Sequence, residues 1–400
     1  MNTEFINTNI LLAVEVAVTF LLTVEAVWIM HTTQVKKVHG KRGRGPKEMK
    51  IAVVFPAYKD VVDIRKWLDW SRGTQTEYFI AEDITDYNDI NSGHAAVLHR
   101  STREGFKAGA LNSVFEYMLK NRMVFDYVLM FDADHIPANN SVREIYPHLD
   151  KDILQFFWDD GLPKKGLIDW LTYSSRFYSN WNNYNRSFSN LTGSALAIRY
   201  ALIEDGLRFP DSITEDYALT LHSLHRRDIR VHVAPLTISI GRSPANFRAF
   251  VKQQLRWAEG TLRDAGREFR RVFTHEGFTM SDRMAFLLHA NMYLQGLWTV
   301  LSFVMLGMGV RISMLIVPIL VLQAAAYLKT LDLAPKRYWP AYLGLNYLMV
   351  CVQALGIVRA VALRNSGFYK TEKNLSGIKK RPEQKEGKNE IRIFKRYRFF

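Results

Sequence analysis

The alternation of apolar and polar positions divides the 400-residue chain into apolar runs of membrane length and a mixed block between them. Asn9 to Met30 is almost continuously apolar, close to the ~20 residues needed to cross a hydrocarbon core. Three comparable stretches lie near the C-terminus, at Met284 to Val310, Ile312 to Thr330 and Tyr338 to Leu363. In the block between them, Met49 to Pro56, Tyr78 to Ala81, Ala95 to His99 and Tyr127 to Phe131 are short apolar or β-branched runs that predict strands. Val61 to Trp70 and Lys107 to Lys120 carry a helical period instead. Strands alternating with helices predict a parallel sheet with helices on both faces, and ligands outside the carboxyl ends of the strands. No segment repeats at a fixed period, which argues against a solenoid or propeller.

Charge sharpens this picture through its location. The net charge is +14, and Lys36, Lys37, Lys41, Arg42, Arg44, Lys47 and Lys50 directly follow the first apolar run. The positive-inside rule keeps them in the cytoplasm and points the N-terminus outward. A cleaved signal peptide would carry its charges before the apolar stretch. The tail from Arg364 to Phe400 is also basic, and beside membrane spans it reads as a solvated or lipid-surface segment, so no nucleic-acid partner is expected. One span before a cytoplasmic block and three after it would leave that tail outside. One segment within Met284 to Thr330, where Arg311 and the His289, Asn291, Gln295 group are costly in lipid, is therefore expected to be interfacial or re-entrant. The alternative is that charge yields to hydropathy. Glu15 and Glu25, inside the first span, call for partners within a helix bundle. The single cysteine, Cys351, permits no disulfide framework or cysteine metal site, which points to a reduced compartment.

Candidate chemistry gathers at five places. Asp132 and Asp134, in Phe131-Asp132-Ala133-Asp134-His135, close a predicted strand and offer hard oxygen ligands to Mg²⁺ or Mn²⁺. A solvated turn would look the same. Thr214-Glu215-Asp216-Tyr217 opens a helix, where acidic residues cap the first turn without any chemistry or supply a rigid general base. Gln253, Arg256 and Trp257 share one helical face, offering an amide, a phosphate-binding guanidinium and a flat surface for a sugar ring, or else an interfacial anchor. In Arg103 to Asn112, Gly105 and Gly109 flank Lys107 in a form that lets backbone approach a ligand, but matches neither the nucleotide-hydrolase loop nor the dinucleotide fingerprint. Thr192-Gly193-Ser194 is the fifth.

In this order the motifs resemble the membrane-bound, processive-type branch of glycosyltransferase family 2, which includes cellulose, hyaluronan and chitin synthases. The resemblance covers about Ile51 to Gly260; FDADHIP, TED and Q-x-x-R-W are especially similar to bacterial cellulose synthase, and GFKAGALN to the wider branch. It implies an α/β, GT-A-type Rossmann-like domain with a mixed, mostly parallel sheet, flanked by one N-terminal and two to three C-terminal transmembrane helices. Asp83 would contact the nucleoside, with Glu82 where the family often has another Asp, in a stretch shorter than the usual family form. Lys107 would lie near the donor phosphates, with Asp132 and Asp134 at the donor and metal. Asp216 would act as base and Glu215 at the acceptor, Gln253 and Arg256 would hold the diphosphate, and Trp257 would stack under the acceptor sugar. Phe368 to Lys373 echoes a cytoplasmic segment of this branch and favours a cytoplasmic tail.

The expected organisation is therefore a transmembrane helix at 1–31, a basic linker at 32–50, a GT-A domain at 51–260, interfacial helices at 261–283, a membrane region at 284–363 and a tail at 364–400. The implied activity is inverting transfer from a nucleotide sugar, with UDP the expected nucleotide, to a growing polysaccharide at the cytoplasmic face of the cell membrane. Single transfer to a lipid carrier or glycolipid is the first alternative. Four spans are few for a polymer channel, so secretion would call for a homo-oligomer. A metal-dependent phosphoryl or nucleotidyl transferase would use similar paired aspartates, and a non-enzymatic membrane scaffold is a third reading.

Overall fold

The computed structural model describes residues 48–84, 94–162, 166–184, 189–227, 229–290, 293, 336–341 and 352–359. The expected N-terminal span, the 312–330 segment and the basic tail lie outside them, as does most of 291–310 and 338–363. Among the described residues, no helix is long and apolar enough to cross a membrane.

The first half of the sheet is built from β1 (Lys50–Ala57), β2 (Gln75–Asp83), β3 (Ala95–Arg100) and β4 (Tyr127–Met130). Helices α1 (Ile64–Trp70) and α2 (Phe106–Lys120) lie between them in sequence. β1 pairs in parallel with both β2 and β4, and β2 with β3. Along β1, Ile51, Val53 and Phe55 enter one core while Ala52 and Val54 enter another on the opposite face. Burial on both faces is why these strands read as continuous apolar runs. Trp67 of α1 is fully buried, with ring centroids 4.3 Å from Phe131 and 5.3 Å from Phe55. Its indole N–H donates to the His135 carbonyl at 3.3 Å, so one core residue also anchors the loop after β4.

The second half comprises β5 (Ile136–Pro137), β6 (Ile153–Leu162), β7 (Leu196–Arg199) and β8 (Val231–Arg242). Sheet order is β3-β2-β1-β4-β7-β6-β8-β5, with β7 antiparallel to both β4 and β6. This is the expected mixed, mostly parallel α/β sheet. Because β7 runs against β4, the loop entering β7 lies beside the carboxyl end of β4. Helices α3 (Leu167–Tyr184), α4 (Tyr200–Glu204), α5 (Glu215–Arg227) and α6 (Phe247–Thr274) complete the layer arrangement, α3 packing on β6 and β8 and α5 on α6.

α6 starts at Asn246, whose side-chain oxygen accepts from the Ala249 N–H at 2.9 Å, a standard N-cap. It continues unbroken through residue 260, the expected domain boundary, because Asp264, Ala265 and Val272 extend its buried face. A helix at 280–290 follows. The 352–359 helix packs on α6: a Cβ on Gly356 would lie 2.7 Å from the Ala258 Cβ, and Arg359 Nε is 3.5 Å from Glu259.

Candidate active site

The loop after β4 is a tight turn in which the Asp132 carbonyl accepts from the His135 N–H at 3.0 Å. The turn draws ligand atoms of Asp132, Asp134 and His135 within 4.8 Å of one another. Asp134 Oδ2 accepts from the Arg242 N–H at 3.0 Å, tying the turn to the end of β8. His135 Nδ1 lies 2.9 Å from Ser239 Oγ and 3.1 Å from Ser194 Oγ. Gly241 makes room for this ring, since a Cβ there would sit 2.5 Å from His135 Nε2. Sequence reasoning put a metal on Asp134 and Asp132; the structure brings the His135 imidazole within 4.8 Å of both, so it could join them, which a D-x-D pattern does not reveal.

Thr192-Gly193-Ser194 is the loop entering β7, and it organises the centre. The Trp158 indole donates to Thr192 Oγ1 at 2.9 Å, and Gln155 accepts from the Thr192 N–H at 2.8 Å and donates to the Ser194 carbonyl at 2.7 Å. Ser194 Oγ in turn accepts from the Asp132 N–H at 3.0 Å. Gly193 has φ +83°, and a Cβ there would come within 3.1 Å of Asp216 Oδ2. Only a glycine takes this backbone at so close an approach without strain.

Lys107, the second residue of α2, reaches this point. Its ammonium donates to Asp132 Oδ1 at 2.6 Å and to the Gly193 carbonyl, and lies 3.3 Å from Glu215 Oε1. Burial pulls its pKa down, but Asp132 and Glu215 outweigh burial and hold it above the ordinary lysine value. For Asp132, burial opposes ionisation, yet Lys107 and His135 hold it below the ordinary aspartate value. Glu215 and Asp216 open α5, where the helix N-terminus favours negative charge. Burial nevertheless wins, against Lys107, and pushes both carboxyls up, Glu215 to about 7. A raised carboxylate is a better proton acceptor near neutral pH.

α5 and α6 are clamped together under the site. Asp264 of α6 accepts from Ser212 and Thr214 hydroxyls, each at 2.6 Å, and Gly260 lets Thr214 approach to 2.7 Å of where a Cβ would be. This clamp fixes Glu215 and Asp216 relative to Gln253, Arg256 and Trp257. Burial lowers the Arg256 pKa against the attraction of Glu215, Asp132 and Asp216, so its charge faces the same carboxylates. Gln253 is buried on the same helix.

The sequence-predicted nucleoside residues divide. Glu82 and Asp83, adjacent on β2, point to opposite faces. Asp83 pairs with Arg100 at 2.8 Å and feels Arg103, whose guanidinium stacks 3.5 Å from the Tyr58 ring, while Glu82 lies 3.5 Å from His99. Burial, opposed by Arg100 and Arg103, lifts Asp83 to about 6. The glycines beside Lys107 also differ from expectation. A Cβ on Gly109 would lie 2.1 Å from the Glu104 carbonyl, so that glycine admits the chain's own backbone.

Sequence reasoning missed Trp158, Asp160 and Arg176. Arg176, on α3, lies with its guanidinium 3.5 Å from the Trp158 ring centroid and 5.7 Å from that of Trp257. No spacing rule marks it.

Residues 127–331, just over half of the chain, match the family described as glycosyl transferase family group 2. The chain belongs to that family. It is 25% identical over 239 residues to probable glucomannan 4-beta-mannosyltransferase 4 of Oryza sativa subsp. japonica, covering 55% of this chain and 37% of the relative. The chain therefore spans well under half the length of that relative. In three dimensions it resembles mannosyltransferase PcManGT from Pyrobaculum calidifontis, solved in complex with GDP-Man and Mn²⁺. That likeness has a TM-score of 0.57 at 12% identity and covers 88% of this chain and 99% of the other. It shows that this group 2 chain shares the GT-A-like α/β fold.

Proposed function

We propose that this protein is an inverting, metal-dependent glycosyltransferase that moves a sugar from a nucleoside diphosphate sugar to a saccharide acceptor at the cytoplasmic face of the cell membrane. The observation that carries the reading is the convergence on Gly193 of the Lys107 ammonium, the Asp132 carboxylate and the Glu215–Asp216 pair. Two carboxylates and an imidazole gathered after β4 fit Mn²⁺ or Mg²⁺, with Asp134, Asp132 and His135 as the holding residues. When bound, such an ion neutralises charge developing on a departing diphosphate.

The chain's own groups account for the remainder. Lys107 and Arg256 bring positive charge to the leaving diphosphate from two elements. Asp216, its pKa raised by burial, takes the proton from the acceptor hydroxyl as that oxygen attacks from the opposite side, which inverts the anomeric centre in one displacement. No covalent nucleophile is required. Asp83, with Arg103 and Tyr58 nearby, forms the nucleoside end. The basic residues beside the apolar runs support a membrane setting, and the glucomannan and mannosyl relatives support a hexosyl donor.

The test is release of nucleoside diphosphate from a panel of UDP- and GDP-sugars, with Mn²⁺, Mg²⁺ or chelator, and with saccharide or polyprenyl phosphate as acceptor. Metal-dependent release with an inverted anomer on a saccharide product is expected. Silence across the panel, or transfer of a nucleotidyl or phosphoryl group, would overturn the proposal.

A further inference from the structure

Two arginines reach the site, Arg176 buried and Arg256 partly so, and their surroundings differ. Arg256 is coupled to Glu215, Asp132 and Asp216 and is repelled by Arg103, which belongs to the nucleoside end with Tyr58 and Asp83. Arg176 is coupled to Asp160, Asp216, Asp132 and Tyr293, and lies against Trp158 and Trp257. The pair therefore brackets the carboxylates Glu215, Asp216 and Asp132, Arg256 on the side of Arg103 and Arg176 on the side of Trp257, the tryptophan expected to stack under an acceptor sugar.

Arg176 is only 8% exposed, and its Nε has no hydrogen-bond partner among the described residues. The ion pair from Nε to Asp160 Oδ2 is 3.6 Å long, beyond hydrogen-bond length, and Asp160 is itself 2% exposed. A guanidinium carries five donors in a fixed plane, and burying even one of them, here Nε, without a hydrogen-bond acceptor is costly. The plane is held by Trp158 at 3.5 Å, so the donors keep one orientation. Asp160 already balances the charge. A balanced, oriented fork beside an indole suits neighbouring hydroxyls of a neutral sugar better than a free anion.

We infer that Arg176, with Asp160 and Trp158 as its support, is a specificity-determining residue that donates paired hydrogen bonds to hydroxyls of the saccharide acceptor beside Trp257, presenting the reacting hydroxyl to Asp216. The inference rests on the acceptor being a saccharide, as proposed above.

The experiment measures binding to the full chain, with GDP or UDP and Mn²⁺ present, of manno- and gluco-oligosaccharides and separately of polyprenyl phosphate in detergent. Arg176→Gln is expected to weaken saccharide binding roughly 10- to 100-fold, the range of a hydrogen bond to a charged group, and to leave nucleotide affinity unchanged. Arg176→Lys keeps the charge but lacks the planar fork, and should bind saccharide as poorly as the glutamine variant. The Asp160→Asn/Arg176→Gln double variant removes both charges together, so its thermal melt separates lost binding from lost folding. Wild-type saccharide affinity in Arg176→Gln or Arg176→Lys overturns the inference, as does equal weakening of nucleotide binding. So does a wild type that binds polyprenyl phosphate through Arg176 and no saccharide. Because binding needs no turnover, a silent transfer assay with intact, Arg176-dependent saccharide binding counts against the proposed activity and not against this site.

Discussion

The half of the sheet made by β3, β2, β1 and β4 and the half made by β7, β6, β8 and β5 bury different things. In the first, both faces of β1 are filled by aliphatic and aromatic side chains, with Trp67 fully enclosed against Phe55 and Phe131, and buried carboxylates come at the end of β2, at Glu82 and Asp83. In the second, and in the loop and helix α3 that meet it, Gln155, Asp160, Arg176, Ser194 and Ser239 are buried and polar. Apolar burial stabilises directly. Buried polar groups contribute only when each is held by a partner, and what they add is fixed orientation. The first half thus supplies stability and the strand ends, and the second half spends burial on orienting the Gly193 loop and the groups around it.

This division can be broken by experiment. The largest effect is expected from Asp216→Asn, which removes the proposed base and should lower single-turnover transfer by about 10²- to 10⁴-fold. Nucleotide and Mn²⁺ affinity and the urea midpoint should stay near wild type, and an unimpaired transfer rate would remove Asp216 from the mechanism. Trp67→Ala acts on the other half. Losing that indole from the core should cost about 3–5 kcal/mol in urea unfolding, together with the anchor on the His135 carbonyl. If Asp216→Asn destabilised the fold as much as Trp67→Ala, stability and orientation would not be separable between the halves.

The smallest effect concerns pH. Asp83 has its pKa raised from 3.8 to about 6, mainly by burial. The folded chain therefore holds this proton where the unfolded chain has released it, and stability present at low pH is lost as pH rises from about 4 to about 6. Melting curves over that window should fall less steeply for Asp83→Asn than for wild type, and parallel curves would show that Asp83 titrates alike in both states.

The first half was readable in the sequence because each strand needs only a local signal. Met49 to Pro56 predicts β1 (Lys50–Ala57) to within a residue, and Lys107 to Lys120 predicts α2 (Phe106–Lys120) equally well. The second half was largely unreadable. β6 and β8 pair through register shifts, β7 runs antiparallel between β4 and β6, and their strands carry glutamine, serine and aspartate inward. Such residues look like loop in a one-dimensional pattern, since their partners come from distant segments.

The motifs around Asp132, Lys107, Asp216 and Arg256 stood out in the sequence because short combinations of carboxylates, glycines and cations are unusual at strand and helix ends. Their order along the chain was enough to indicate the family. What only the tertiary structure decided is how they meet. Gly193 is the crossing point because β7 runs antiparallel to β4, which sets the loop entering β7 beside the carboxyl end of β4; Gly109 admits backbone rather than ligand, and Glu82 faces away from Asp83. Arg176 joins the site only because α3 folds over β6 and places it on Trp158. Periodicity records which face of an element is buried, whereas the identity of the group across the gap depends on packing between segments far apart in the chain.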